Sequence, residues 1–151
     1  MSARADASFQ LAAKALADLG DAKLKRALLK GMREAATPVG RDMVAGLAGR
    51  MPRRKGLAGR VQGATPVVQI RAAGSSPRVM IGLRSDEGYD LGALDRGALR
   101  HPVYGRGPWV TQPVPAKGAT EAFERDAPRV RDSIVREVTA AIQSAAAKGS
   151  A

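Results

Sequence analysis

The residues best suited to chemistry lie between Leu99 and Gln112, a segment that holds the only His and the only Trp of the chain. His101 could serve as a general base or a metal ligand only with suitable partners. The sequence contains no second His and no Cys, so we interpret His101 as a hydrogen-bonded loop residue. Trp109 and Tyr104 offer large apolar surfaces of the kind that anchor packing or association. The segment therefore predicts a docking element.

The remaining sequence shows no familiar catalytic pattern. No serine lies in a nucleophile elbow, and no glycine-rich phosphate loop or dinucleotide fingerprint occurs. The lack of Cys excludes disulfides, thiolate nucleophiles and Cys-based zinc sites. We therefore expect no enzyme, no cofactor, no metal and no small-molecule substrate. No apolar run approaches the ~20 residues that span a bilayer, and no signal peptide is evident, so we expect no membrane partner.

The net charge of +11 is concentrated in the middle of the chain. Residues 43–85 contain eight basic side chains and no acidic one. These are Arg50, Arg53, Arg54, Lys55, Arg60, Arg71, Arg78 and Arg84. Such a patch attracts polyanions or an acidic protein face, although it could instead serve only solubility. Since no recognition helix, zinc module or aromatic platform is evident, any DNA contact would be with phosphates and independent of base sequence.

The hydrophobic pattern predicts helices in the first third of the chain. One is expected over Asp6–Leu19 and another from Asp21 onward. Thr37-Pro38 resembles an N-cap and first-turn pair, so a third stretch is expected from there to Met51. The pieces on either side of Pro38 could be one kinked helix or two.

The middle third is predicted to hold a small antiparallel sheet. Alternation in Pro66–Ala72 and Arg78–Leu83 indicates a β-hairpin, after a basic and glycine-rich connector. Residues 84–98 are polar and are predicted to form an exposed loop. Trp109–Gln112 could add a short strand, which Pro113 ends.

A long helix is predicted at the end of the chain. Thr120 can cap it, and the regular part is expected from about Asp126 because of Pro128. Four aliphatic residues recur every four positions and should form its buried side: Val130, Ile134, Val138 and Ile142. The fold class is therefore α+β, in a single domain of residues 1–151. Its parts are a helical region (1–51), a connector, hairpin and loop region (52–112) and a C-terminal helix (119–147).

The order of these parts resembles a tail-component family of long-tailed bacteriophages, whose genes lie in the head–tail joining module and which are also called neck or tail-completion proteins. The resemblance covers roughly residues 20–145 and is carried by three short motifs. The first is Met51-Pro-Arg-Arg-Lys-Gly-Leu57 before the hairpin. The second is Leu94-Asp-Arg-Gly97, followed by Arg100-His-Pro-Val-Tyr-Gly105. The third is the link Trp109-Val-Thr-Gln-Pro-Val-Pro115 into the terminal helix.

The resemblance implies a structural virion protein, made in the host cytoplasm and located at the head–tail interface. It implies a ring of identical subunits, six by family resemblance, that contacts connector and tail proteins and through which genomic DNA passes. Two alternatives stay open: a small basic protein that binds DNA without sequence preference, and a tail assembly factor missing from the finished particle.

Two sets of residues are predicted to form the contacts of such a ring. The first set would face the channel or an acidic partner: Arg50, Arg53, Arg54, Lys55 and Arg60. The second set would meet a neighbouring subunit or ring: Arg100, His101, Pro102, Tyr104, Trp109 and Gln112.

Overall fold

A computed structural model of the chain describes residues 22–53, 56–71 and 78–149. The helices are α1 (Ala22–Arg50), α2 (Leu57–Gln62), α3 (Leu91–Asp95) and α4 (Gly118–Gly149), with a 3-10 turn at Val103–Gly105. The strands are β1 (Thr65–Arg71), β2 (Arg78–Arg84), β3 (Ala98–Pro102) and β4 (Trp109–Pro113). They form two antiparallel two-stranded sheets, β1–β2 and β3–β4, so the predicted α+β fold is confirmed. The helix predicted over Asp6–Leu19 lies outside the described residues.

The chain divides into two compact units. Unit 1 comprises residues 1–38, 68–81 and 126–151, and unit 2 comprises residues 39–67 and 82–125. The divisions fall inside α1, inside both strands of the first hairpin and inside α4. The expectation of a single domain stays a prediction.

Helix α1 continues through Pro38, so the pieces on either side of Pro38 belong to one helix, which is the first of the two alternatives left open by the sequence. The prediction that Thr37 caps a new helix is wrong. Its hydroxyl instead donates to the carbonyl of Arg33, 2.8 Å away, as threonine does within a helix. The predicted end at Met51-Pro52 is confirmed, because the helix ends at Arg50.

Unit 1 is built around a core between its parts of α1 and α4. Leu28 and Met32 pack with Ile134 and Val138, and all four are buried. Strand residues Ile70 and Val79 pack against this cluster from the β1–β2 hairpin. The predicted hairpin strands and the buried side of the last helix are thus confirmed.

Unit 2 has a second core, to which α3 contributes. Leu91 and Leu94, three residues apart, are buried with Leu47 and Val61. The prediction of an exposed loop over residues 84–98 is therefore wrong for its second half. Asp90 caps α3 by accepting a hydrogen bond from the backbone N–H of Ala93 at 2.8 Å.

The β3–β4 hairpin has a register that suits its prolines. Val114 N–H donates to Gly97 at one end and Val103 N–H donates to Pro108 at the other, both at 3.0 Å. Bonded and non-bonded pairs alternate in an antiparallel ladder, so Leu99 with Gln112 and His101 with Val110 are the bonded pairs between them. Pro102 and Pro113 therefore occupy non-bonded positions, where a missing N–H costs the ladder nothing. The strand predicted at Trp109–Gln112 is confirmed, and its partner β3 was not predicted.

The last helix begins at Gly118, one residue before the predicted range of 119–147. It continues through Pro128, so the regular part does not begin near Asp126. Thr120 lies inside the first turn and is not the cap. In this turn, the N–H groups of Ala119 and Thr120 are satisfied by the carboxylate of Asp95.

Candidate interaction surface

The start of α4 is held in unit 2 by Asp95, which lies 24 residues earlier than the donor Ala119. Its carboxylate accepts from the N–H of Ala119 at 2.8 Å and from the N–H of Thr120 at 3.3 Å, and the Thr120 hydroxyl donates to it as well. Its backbone carbonyl accepts from Lys117 N–H at 2.7 Å. A carboxylate at a helix N-terminus satisfies unpaired donors and interacts favourably with the helix dipole. Through these hydrogen bonds, the Leu94–Gly97 motif holds the start of α4 in place within unit 2.

Gly97 allows the link before α4 to pack closely against this motif. Its φ of +90° favours glycine, and a Cβ there would lie 3.1 Å from the carbonyl oxygen of Val114 and 3.2 Å from Ala116 Cβ. The Gly97 carbonyl also accepts from Val114 N–H. A side chain at this position would therefore push away the link that leads into α4.

The two long helices approach closely at a pair of glycines in unit 2. A Cβ at Gly118 would lie only 2.8 Å from Leu47 Cα, and Gly46 faces Gly118 in the same way. Beside this crossing, Arg50 Nη1 donates to the Ala116 carbonyl at 3.1 Å, and its Nη2 forms an ion pair with Glu121. Arg50 thus joins the end of α1 to the start of α4.

One face of the β3–β4 sheet borders an open groove. Arg100 lies over the ring of Trp109, 5.4 Å from its centroid, as diagonal neighbours on one face can. Trp109 is 59% exposed, and all five residues of β4 are exposed. The groove has a volume of about 580 Å³ and is bordered on its other side by Glu87, Tyr89 and Asp90. It brings an aromatic surface and two carboxylates together.

The structure brings several of the predicted contact residues together on this hairpin. Arg100, His101, Pro102 and Trp109 all line the groove, whereas Gln112 is exposed on β4 and does not line it. His101 lies on a strand and not in a loop, and its Nδ1 is 3.2 Å from the carbonyl oxygen of Pro102. The side chain of Tyr104 lies outside the described residues.

The predicted basic set divides differently. Arg60 donates to the Tyr89 hydroxyl at 2.6 Å and pairs with Glu87 at 3.5 Å, and these contacts raise its pKa above the ordinary value. Arg84 likewise pairs with Asp86 at 3.6 Å. Together with Arg50, these residues meet acidic partners from outside the basic segment. Arg53 is exposed, and Arg54 and Lys55 lie outside the described residues.

Sequence reasoning missed the residues that organise this surface. The sequence places Asp95 and Gly97 in a motif of the family resemblance but does not indicate their bonds, and no pattern in it points to Tyr89. The Leu91–Leu94 spacing behind Asp90 is a short helix signal, but one apolar turn is too brief to distinguish a helix from a loop. The bonds of Asp95 with Lys117, Ala119 and Thr120 connect distant positions, which no local pattern reveals.

Comparison with protein-family models, curated proteins and solved structures found no match. Among the helices of the described ranges, none is long and apolar enough to cross a membrane. The described residues also contain no group of three or more His, Asp or Glu side chains placed to hold a metal ion.

Proposed function

We propose that this chain is a structural protein of a tailed bacteriophage, which forms a homo-oligomeric ring at the head–tail interface through which DNA passes. Six subunits are proposed by family resemblance alone. The partners of the ring are the neighbouring connector and tail proteins, with non-specific contact to genomic DNA.

The observation that carries the proposal is the use of the Leu94–Gly97 motif. This motif is part of the resemblance. In unit 2 its Asp95 accepts hydrogen bonds from the start of α4, and its Gly97 accepts one from the link before α4. Both residues stabilise the fold of unit 2, which is the role expected of motif residues in a structural protein. The exposed β3–β4 hairpin, with Trp109 and Arg100 side by side, supplies a contact surface that combines an aromatic residue with an arginine, two residue types that interfaces favour.

The ion pairs of unit 2 refine the predicted DNA contact. Arg50 and Arg60 already have acidic partners, so the proposed contact rests mainly on Arg53, Arg54 and Lys55. Phosphate contacts without base readout suit a channel, since the genome must slide through it.

Mass spectrometry and imaging of purified phage particles test the proposal directly. We expect an ordered ring of this chain between the head and the tail tube. Particles that contain the chain in no ordered ring would contradict the proposal. If the particles lack the chain but fail to assemble without it, the alternative of an assembly factor is supported.

A triple variant tests the basic residues in the same setting. Arg53, Arg54 and Lys55 replaced by Gln should leave the free energy of unfolding within about 0.5 kcal/mol of the wild type. The yield of infectious particles should fall because head–tail joining or DNA retention is weakened. A normal titre would remove these residues from the proposed contact.

A further inference from the structure

Within the described part of the chain, no residue bonds to the backbone groups on the outer edge of β4, and these groups follow in a defined order. Because Val110 and Gln112 bond to β3, the backbone groups of Trp109, Thr111 and Pro113 point away from it. The edge therefore offers N–H groups at Trp109 and Thr111 and carbonyls at all three positions. Sheets usually protect such an edge with charges or bulges, yet the strand Trp109–Pro113 carries no charged residue.

This edge is complementary to itself. When two copies pair antiparallel about Thr111, each Thr111 N–H meets the Thr111 carbonyl of the other copy. The backbone N–H of each Trp109 then meets the backbone carbonyl of Pro113 in the other copy. The missing N–H of Pro113 falls at the end of the ladder and leaves only the Trp109 carbonyl without a partner. On the face shared by these residues, each Trp109 ring comes to lie opposite a Pro113 ring.

We propose that the free protein dimerises through the β4 edge, forming a four-stranded sheet in the order β3–β4–β4–β3 about a two-fold axis at Thr111. The contact is isologous, the arrangement found in most homodimers. The neutral strand places no like charges against each other along the ladder. Arg100, a cation on that face of β3, lies over the Trp109 ring.

The proposed dimer is a different assembly from the proposed ring, although both would use the β3–β4 hairpin. A two-fold contact closes after two subunits, so it cannot link successive subunits of a ring in which all subunits point the same way. The dimer is therefore a state of the protein before assembly, in which an edge prone to unwanted strand pairing is covered. Its failure would leave the proposed ring untouched, since ring contacts are read from phage particles and the dimer from purified protein.

Single-cysteine variants test the register, because the chain has no cysteine of its own. Under mild oxidation, purified Thr111→Cys should form a disulfide-linked dimer, since the two-fold axis brings this residue beside its own copy. Thr65→Cys, an exposed threonine on β1, is the matched control. We expect Thr111→Cys to cross-link at least ~10-fold faster, since tethering in a complex raises the effective concentration to about millimolar. Equal rates would overturn the proposal.

Backbone variants supply a second readout that does not depend on oxidation. Thr111→Pro removes the edge N–H but no β3–β4 bond, as Pro102 and Pro113 already do at equivalent positions. By sedimentation, it should be monomeric at concentrations where wild type and Thr111→Val are dimeric, and circular dichroism should be the same for all three. A wild type that stays monomeric at millimolar concentration, or a Thr111→Pro variant that dimerises like the wild type, would overturn the proposal.

Discussion

The Asp95 carboxylate caps the first turn of α4 from a distant position in unit 2, so its removal leaves the N–H groups of Ala119 and Thr120 without their acceptor. We expect Asp95→Ala to lower the free energy of unfolding by about 1–2 kcal/mol, as loss of a helix cap does. Asp86→Ala is a suitable control, because Asp86 makes an exposed ion pair with Arg84 that is worth at most about 1 kcal/mol. Urea denaturation of both variants measures the difference, and equal losses would show that the capping adds nothing.

Trp109 is the most exposed large hydrophobic residue among those described, and this decides what its truncation should do. Trp109→Ala removes the contact with Arg100, worth about 0.5–1 kcal/mol at an exposed site, and leaves the core of unit 2 intact. Leu94→Ala, at a position only 1% exposed, should cost about 2–5 kcal/mol. Thermal unfolding compares the two variants. A larger loss at Trp109 would indicate that its ring is packed inside the subunit.

At the scale of elements, the crossing of α1 and α4 in unit 2 depends on two glycines. Gly46→Ala inserts a methyl group against Gly118 and Ala122, and such overpacking costs about 1–3 kcal/mol. Gly49→Ala is the matched control in the same helix, where a Cβ meets nothing within 4 Å. It should stabilise by about 0.5–1 kcal/mol through helix propensity. Opposite signs of the change in melting temperature are therefore expected, and a stabilised Gly46→Ala would mean that the helices can separate without loss.

The sequence predicted the elements whose signals are local and repeated. Val130, Ile134, Val138 and Ile142 marked the last helix, and alternation marked the β1–β2 hairpin. It failed where a distant partner decides the outcome. Thr120 has the chemistry of a cap, but Asp95 takes that role, so α4 begins at Gly118. The sequence predicted a docking segment at Trp109 but not the groove beside it. The groove depends on the pairing of β3 with β4 and on the position of Tyr89, and both are set by tertiary contacts.

The excess of positive charge predicts opposite responses to salt for the two proposed associations, with DNA and with a second copy of the chain. Binding to DNA releases counterions and should weaken steeply as salt rises. Self-association through the neutral β4 edge brings two chains of net charge +11 together, so screening should strengthen it. Raising the salt from about 0.05 to 0.5 M should therefore lower DNA affinity and increase the dimer fraction, as measured by fluorescence anisotropy and sedimentation. Parallel changes would show that one of the two contacts is misassigned.

Arg53 and Arg50 provide a matched comparison for the proposed DNA contact. Arg53→Gln removes an exposed charge and should reduce both affinity and the salt slope, by about one counterion. Arg50→Gln removes the same charge from a side chain already engaged by Glu121 and the Ala116 carbonyl, so its main effect should be on stability. Equal losses of DNA affinity would mean that the intramolecular pair does not withdraw Arg50 from the phosphates.

Pro102 and Pro113 restrict the β3–β4 hairpin to registers in which both of them lie at non-bonded positions. If the strands slipped by one residue, one strand would have to turn over, and either Pro102 or Pro113 would then occupy a position that requires an N–H. The same slip would separate Arg100 from the face of Trp109. Only shifts by an even number of residues avoid this penalty, and those shorten a ladder of five pairs too far to persist. The hairpin thus has one register open to it, which fixes the side of the sheet on which its tryptophan is displayed.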